Sequence, residues 1–351
     1  MGGGNWNVGT YQAASATRKA TGTATFDYSD RVTSGRAPQV VHDLLRPDQT
    51  AGPSSPFAGQ VMREVCVTDE HPDPTAIQIW LDVTGSNFQA AKIVHSKLPR
   101  LQAYLRDGHF CNDPQINVGA IGDANSDQFP LQWGQFESDN RLDDQIAAII
   151  LEGNGGGQRH ETYELGAYLS ARHVNLEPYH LLGKKGFVFF TGDEMPYQTI
   201  KRDYSRGHWG SGGHSLTSLT GDDVAEDIDA AAIFAELQVQ NHVFFLFQQQ
   251  GAYRAESIVP AWEKVLGAEQ IIMLDDPALY VEVIASIIAR FEGDLDAAAT
   301  STALVKAGAS ASEAASASRA LVRLGAQVSK RDRVATTSGT LTTGGPGADR
   351  L

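Results

Sequence analysis

Uninterrupted apolar runs alternate along this chain with stretches in which apolar residues return every three or four positions. The runs "AIQIWLDV" (76–83), "QINVGAIGD" (115–123), "GFVFF" (186–190), "HVFFLFQ" (242–248) and "QIIML" (270–274) are short and flanked by turn residues, which predicts buried strands. In "NFQAAKIVHSKLPRLQAYLRDG" the residues Ala91, Val94, Leu98, Leu101 and Leu105 fall on one helical face, and Gly108 ends the pattern. "RLDDQIAAIIL", "ETYELGAYLSARH", "DDVAEDIDAAAIFAELQ", "AESIVPAWEKVLG" and "PALYVEVIASIIARF" read as further helices. Strands apolar on both faces, alternating with amphipathic helices, predict an α/β fold: a doubly wound, mostly parallel sheet with helices on both faces, over residues 76–292.

The flanks differ in character. Residues 1–75 are rich in Gly, Ser, Thr and Pro, with strand-like pieces "TATFDYSD" and "REVCVTD", and read as an N-terminal extension packed on the main domain. Residues 293–351 form an Ala/Ser/Gly/Thr-rich tail. Its first part, "DLDAAATSTALVKAGASASEAASASRALVRLG", can form helix, whereas "TTSGTLTTGGPGADRL" has the composition of a disordered end. The tail is mildly basic and reads as a solvated linker or tether.

Composition narrows the function classes. With 42% apolar and 20% charged residues the chain is of the soluble globular kind, and no apolar run approaches the roughly 18 residues of a membrane helix. A net charge of −14 disfavours nucleic acid, whose binding depends on Lys and Arg displacing counterions. The opening "MGGGNWNVGTYQAA" lacks a basic segment followed by an apolar one, and Trp6 stands where a myristoylation pattern asks for Ser or Thr, so a cytoplasmic location without lipid anchor is expected. Cys66 and Cys111 lack the paired spacing of a structural zinc site and read as reduced thiols.

Candidate chemistry gathers where strands end. After "IQIWL" the chain continues Asp82, Val83, Thr84, Gly85, Ser86, Asn87. Alternate oxygen-bearing side chains in a turn made tight by glycine can face one point, and hard divalent ions such as magnesium take such ligands. The same residues also cap helices. Thr162 at the head of a helix and Asp193 after "GFVFFTG" offer oxygen ligands from two other places, and Glu161 could substitute for Thr162. Asp123, Asn125 and Asp127 alternate as in a calcium loop but lack its glycine and distal glutamate, which favours a turn. His208 and His214 read as part of a surface loop in which Trp209 is a candidate partner contact, and "GNGGGQ" reads as a backbone turn without the Lys and Ser/Thr of a phosphate loop.

The three places together resemble the von Willebrand factor type A domain family, a Rossmann-like fold, and its metal-ion-dependent adhesion site, in particular bacterial intracellular members. Asp82, Thr84 and Ser86 match the family's Asp-x-Ser-x-Ser turn with Thr for the first Ser, Thr162 is the candidate for its loop threonine, and Asp193 matches its distal aspartate. The resemblance implies a Mg²⁺, Mn²⁺ or Ca²⁺ ion held by these five residues, with one position left for an Asp or Glu of a partner protein. The expected function is a non-enzymatic, metal-dependent protein-binding module or adapter, with AAA+ ATPases among the partners that intracellular members of the family imply. Two other readings remain open at this point: a structural component of a large assembly, and a metal-dependent hydrolase in which His160, Glu161 or Glu164 moves protons.

Overall fold

A computed structural model describes residues 4–85, 87, 89–153, 159–205, 213–249, 253–293 and 295–324. Its centre is a six-stranded sheet. The strands are β1 (Pro74–Asp82), β2 (Asp113–Ile121), β3 (Leu131–Trp133), β4 (Gly186–Gly192), β5 (Asn241–Gln248) and β6 (Ile271–Leu274), in the spatial order β6-β5-β4-β1-β2-β3. All neighbours are parallel except β3, which runs antiparallel to β2 at one edge. This is the doubly wound α/β sheet expected from the sequence.

Alternation along the strands sorts their side chains into two cores. Ile77, Ile79 and Leu81 of β1 join Phe187, Phe189, Phe244 and Leu246 on one face. There they meet α2 (Gln89–Gln102) and α7 (Tyr280–Phe291), which contribute Val94, Leu98, Val283 and Ile287. Trp80, Phe190, Phe245 and Phe247 point the other way, against α4 (Tyr163–Arg172), α5 (Ala230–Gln240) and α6 (Ala255–Leu266). Each fully buried aliphatic or aromatic side chain of this kind stabilises the fold by roughly 1.5–3 kcal/mol, which is why strands buried on both faces are apolar throughout.

One row across the sheet explains a glycine. Trp80 pairs with Gly119, and Gly119 with Trp133. The two indoles stack at 6.2 Å over the glycine, where a Cβ would lie 2.3 Å from the Trp80 ring. The Arg63 guanidinium lies 4.3 Å from the centroid of Trp133.

Arg63 is fully buried and anchors the N-terminal flank. It donates to the carbonyls of Gly134 and Gln49 at 2.8 Å, of Arg46 at 2.9 Å and of Trp133 at 3.3 Å, so residues 46–49 are bound to the β3 edge. Arg63–Val65 is a short strand paired with Val174–Leu176. "TATFDYSD", expected to be strand-like, instead leads into the helix Asp27–Thr33. Its Thr and aromatic residues suggest a strand, but Phe26, Ser29 and Val32 recur every three positions and are the residues it buries. Before it lies α1 (Val8–Thr21), capped by Asn7, whose side chain accepts from Thr10 N–H at 2.9 Å. None of α1 is fully buried; it is tied down by Arg18 on Asp143 at 3.0 Å and by Tyr11 on the His95 carbonyl at 3.1 Å.

Two helices end sooner or start later than their patterns suggest. In "RLDDQIAAIIL" only α3 (Arg141–Ala147) is helical, and α5 begins at Ala230, where Asp229 caps Ala231 N–H at 2.7 Å. In the C-terminal flank α8 (Ala297–Lys306) and α9 (Ala311–Ala320) pack on the α2/α7 core through Leu304, Ala314 and Ala317. The linker reading therefore fails for residues 297–324; small alanine faces let these helices approach closely. The low-complexity end lies outside the described residues. No helix among the described residues is long and apolar enough to cross a membrane.

Candidate metal centre

From β1 the chain winds to β2 and β3 on one side, whereas β4, β5 and β6 lie on the other. The carboxyl ends of β1 and β4 therefore flank a switch in winding direction, the place where open α/β sheets collect ligands. Asp82 is the last residue of β1, and Asp193 follows the last residue of β4. Both are fully buried.

Asp82 is held on both oxygens. Its Oδ1 accepts from the Thr84 N–H at 2.9 Å and the Thr84 hydroxyl at 2.7 Å, which closes the turn that Gly85 continues at φ 33°. Its Oδ2 accepts from the Tyr163 hydroxyl at 2.6 Å and from Asn87 Nδ2 at 3.2 Å. Asn87 Nδ2 also donates to Asp193 Oδ1. One amide thus bridges carboxylates from two different strands. Burial raises the Asp82 pKa, and the donors from Thr84, Tyr163 and Asn87 oppose that rise.

Of the residues expected to share the site, Asp82, Thr84 and Asp193 come together, with Asn87 between the two aspartates. Ser86 lies outside the described residues. Thr162 is fully buried beside this group, but its hydroxyl donates to the Gly122 carbonyl at 2.5 Å and accepts from Ala124 N–H at 3.4 Å. It ties the end of β2 to the head of α4, and the link from this helix to Asp82 is its neighbour Tyr163. Thr162 does not use its side chain to cap α4.

Glu161, weighed as a substitute for Thr162, is buried with Oε2 lacking a hydrogen-bond partner. The Glu194 carboxyl, next to Asp193, likewise has a buried unpartnered Oε2. Burial is the main cause of the raised pKa of both, and the nearby charge of Asp82 adds to it. Glu164 is also raised well above the carboxylate range by burial, and it accepts from Tyr197 N–H at 3.2 Å, a structural tie.

Asp123, Asn125 and Asp127 form a closed turn. Asp123 Oδ1 accepts from Asn125 N–H at 3.0 Å, and Asp127 Oδ2 accepts from Asp123 N–H at 2.7 Å. His214 Nε2 lies 3.0 Å from the Asp127 carbonyl; His208 and Trp209 lie outside the described residues, as does most of "GNGGGQ". His160 stacks on Tyr197 at 5.0 Å. Burial pushes the Cys111 thiol up to about 12 and that of Cys66 to about 11, which suits unreactive thiols.

Among the described residues no three His, Cys, Asp or Glu side chains are grouped so as to hold a metal ion by themselves. Any ion bound here depends on hydroxyls and water beside Asp82 and Asp193. That donor set fits a hard dication: among the described residues the hydrogen-bond donors to Asp82 are the neutral groups of Thr84, Asn87 and Tyr163, with no side-chain cation beside them. Asn87, Tyr163 and Glu194 were not singled out by sequence reasoning; Asn87, directly after the motif, was the one with a local signal.

No family model matches the chain, and no curated protein matches it. Solved structures do. The pilus adhesin SpaC from Lactobacillus rhamnosus GG, in its open conformation, is 12% identical with a TM-score of 0.41, covering 62% of this chain and 30% of its own. A von Willebrand factor type A protein from Catenulispora acidiphila is 13% identical with a TM-score of 0.36, covering 62% of this chain and 42% of its own. Proximal thread matrix protein 1 from the mussel byssus, with a zinc-occupied MIDAS motif, is 11% identical with a TM-score of 0.32, covering 61% and 47%. The chain thus spans between about a third and a half of each of these proteins.

Proposed function

We propose that this chain is a metal-dependent protein-binding module, in which Asp82, Thr84, Ser86 and Asp193 hold a magnesium-type ion that receives an Asp or Glu side chain from a partner protein. The observation that carries the reading is the convergence of Asp82 and Asp193, from separate strands, on one amide at the switch point of the sheet. Thr84 adds a hydroxyl already aligned on Asp82. When bound, the ion supplies an electrophilic position for an incoming carboxylate. Two aspartates match a dication in charge, while hydroxyls donate little, which leaves that position attractive. Thr162 enters this reading as the residue that fixes the β2 end against α4, and Tyr163 as the one that orients Asp82.

Binding rather than turnover suits the site. Of the groups weighed for proton transfer, Glu164 accepts from Tyr197 N–H at 3.2 Å and His160 stacks on the Tyr197 ring at 5.0 Å, ties to the fold rather than to Asp82. The decisive experiment is isothermal titration calorimetry with Mg²⁺ and Mn²⁺ on the intact chain and on Asp82→Ala, followed by capture of partners with and without EDTA. Heat that Asp82→Ala abolishes, together with partners retained only when metal is present, supports the reading. No heat with either ion, or the same partners in EDTA, refutes it.

A further inference from the structure

The side chain of Asn87 stands between the two aspartates that the proposed site depends on. Its Nδ2 faces Asp82 Oδ2 at 3.2 Å and Asp193 Oδ1. Both neighbours are acceptors, so the nitrogen and not the oxygen of the amide must point at them. An amide NH₂ carries partial positive charge and two donors, which is what two buried carboxylates need when no cation lies between them. We propose that Asn87 is the resident occupant of the cation seat: its amide holds Asp82 and Asp193 together in the metal-free protein and yields the seat when a cation binds. This rests on the metal-site reading above.

The backbone makes such an exchange local. Asn87 N–H donates to the Thr84 carbonyl at 2.7 Å, and the Asn87 carbonyl accepts from Ala90 N–H at 2.7 Å at the start of α2. With both backbone groups engaged, the side-chain torsions alone can withdraw the amide or turn its oxygen inward. No strand or helix has to shift. The amide therefore competes with the cation, lowering affinity and setting the concentration at which the site fills, while easing the repulsion between the two carboxylates when no cation is bound.

The test uses Asn87→Ala and Asn87→Ser in the full chain, with Mn²⁺ as the probe. Calorimetry measures affinity, and thermal melting in EDTA measures the metal-free state. Losing the competitor should tighten Mn²⁺ binding by on the order of tenfold or more, the equivalent of one hydrogen bond to a charged group. Melting in EDTA should fall, and Mn²⁺ should restore more of it than in the parent. Asn87→Ser, which keeps one donor, should lie between. If Asn87→Ala does not fold without metal, Asn87→Ser carries both measurements.

Weaker Mn²⁺ binding in the variants would make Asn87 an ordinary ligand and overturn the proposal. Unchanged affinity together with unchanged melting would overturn it as well. If the parent binds Mn²⁺, loses it on Asp82→Ala, and yet fails to gain affinity at position 87, only the occupant role of Asn87 falls. If neither parent nor variants bind, the metal-site reading falls with it. Binding seen in Asn87→Ala alone would support both.

Discussion

The Tyr163 hydroxyl donates to Asp82 Oδ2 at 2.6 Å through a space that Gly192 keeps open, since a Cβ at that glycine would lie 2.0 Å from the hydroxyl and 3.0 Å from Oδ2. Three elements meet at this contact: β1 ends in the acid, α4 brings the phenol, and β4 ends in the glycine. The burial of Tyr163 fixes its ring among Phe245 and Trp262, at centroid distances of 5.9 and 5.0 Å. The aspartate is thus oriented from the core side before any ligand arrives.

Tyr163→Phe should remove one donor from a buried carboxylate and destabilise the metal-free protein by about 1–3 kcal/mol. Gly192→Ala should displace the phenol and cost about as much through overpacking, roughly 1–3 kcal/mol. Because both changes act on one contact, the double variant should cost less than the sum. Urea unfolding of the two single variants and the double variant checks this; strict additivity would show that the glycine and the tyrosine act independently.

This contact also marks the limit of what the sequence made legible. The sheet was readable because strands such as "GFVFF" and "HVFFLFQ" are apolar on both faces, short and bounded by turn residues, whereas the helices between repeat every three or four positions. Asp82, Thr84 and Asp193 were readable because they stand at strand ends. Tyr163 and Asn87 were not, since an aromatic in a helix and an amide after a turn look like core and cap until the fold sets them against Asp82. Thr162 stands at the head of its helix as expected, and its hydroxyl donates to the Gly122 carbonyl, a partner 40 residues away that no local pattern reveals. The helix Asp27–Thr33 was missed because Thr and aromatic residues favour strands in isolation, and its buried face became decisive only against the folded domain.

Asp127 supplies a pH dependence of definite sign. Burial pushes its carboxyl from an ordinary 3.8 up to about 7. An acid raised in the folded state binds its proton more tightly there than in the unfolded chain. Stability is therefore fully present below about pH 4, falls as pH climbs towards about 7, and is level above that. Asp127→Asn should flatten this part of the profile and raise stability near pH 8, by up to on the order of 3 kcal/mol. Denaturant midpoints measured from pH 4 to pH 8 decide the matter; parallel profiles for the two proteins would contradict it.

Glu313 predicts the opposite slope for the C-terminal helices. It accepts from the Ser310 N–H at 2.8 Å in a capping box, and from Lys97 at 3.2 Å and Arg100 at 2.9 Å on α2. The backbone bond at Ser310, followed by that side chain and Lys97, holds its carboxyl down at about 2, below its ordinary 4.5. A depressed acid stabilises the fold above its unfolded pKa, and the contribution is lost as pH falls from about 4.5 to about 2. Pepsin digestion across that interval should release residues 297–324 increasingly at lower pH. Glu313→Gln should make release less dependent on pH and faster at pH 4.5; protection that stays constant down to pH 2 in the parent would show that the apolar contacts of Leu304 and Ala317 hold these helices unaided.

Metal linkage gives the most direct measure of the site as a whole. An ion that binds only the folded chain adds RT ln(1 + [L]/Kd) to stability, about 2.7 kcal/mol at a hundredfold excess over Kd. Saturating Mg²⁺ or Mn²⁺ should therefore raise the melting temperature of the parent by several degrees, and EDTA should reverse the shift. Asp193→Asn keeps an acceptor for the Asn87 amide but removes a charge from a fully buried position. In EDTA it should melt at or above the parent, because two neighbouring carboxylates are costlier to bury than a carboxylate and an amide. With metal it should gain little. The crossing of these two orders, variant above parent without metal and below it with metal, is expected of a site whose buried charges are retained for a cation. If Asp193→Asn melts well below the parent in both conditions, the two aspartates serve the fold, and Asp82 is no more than the acceptor that closes its turn.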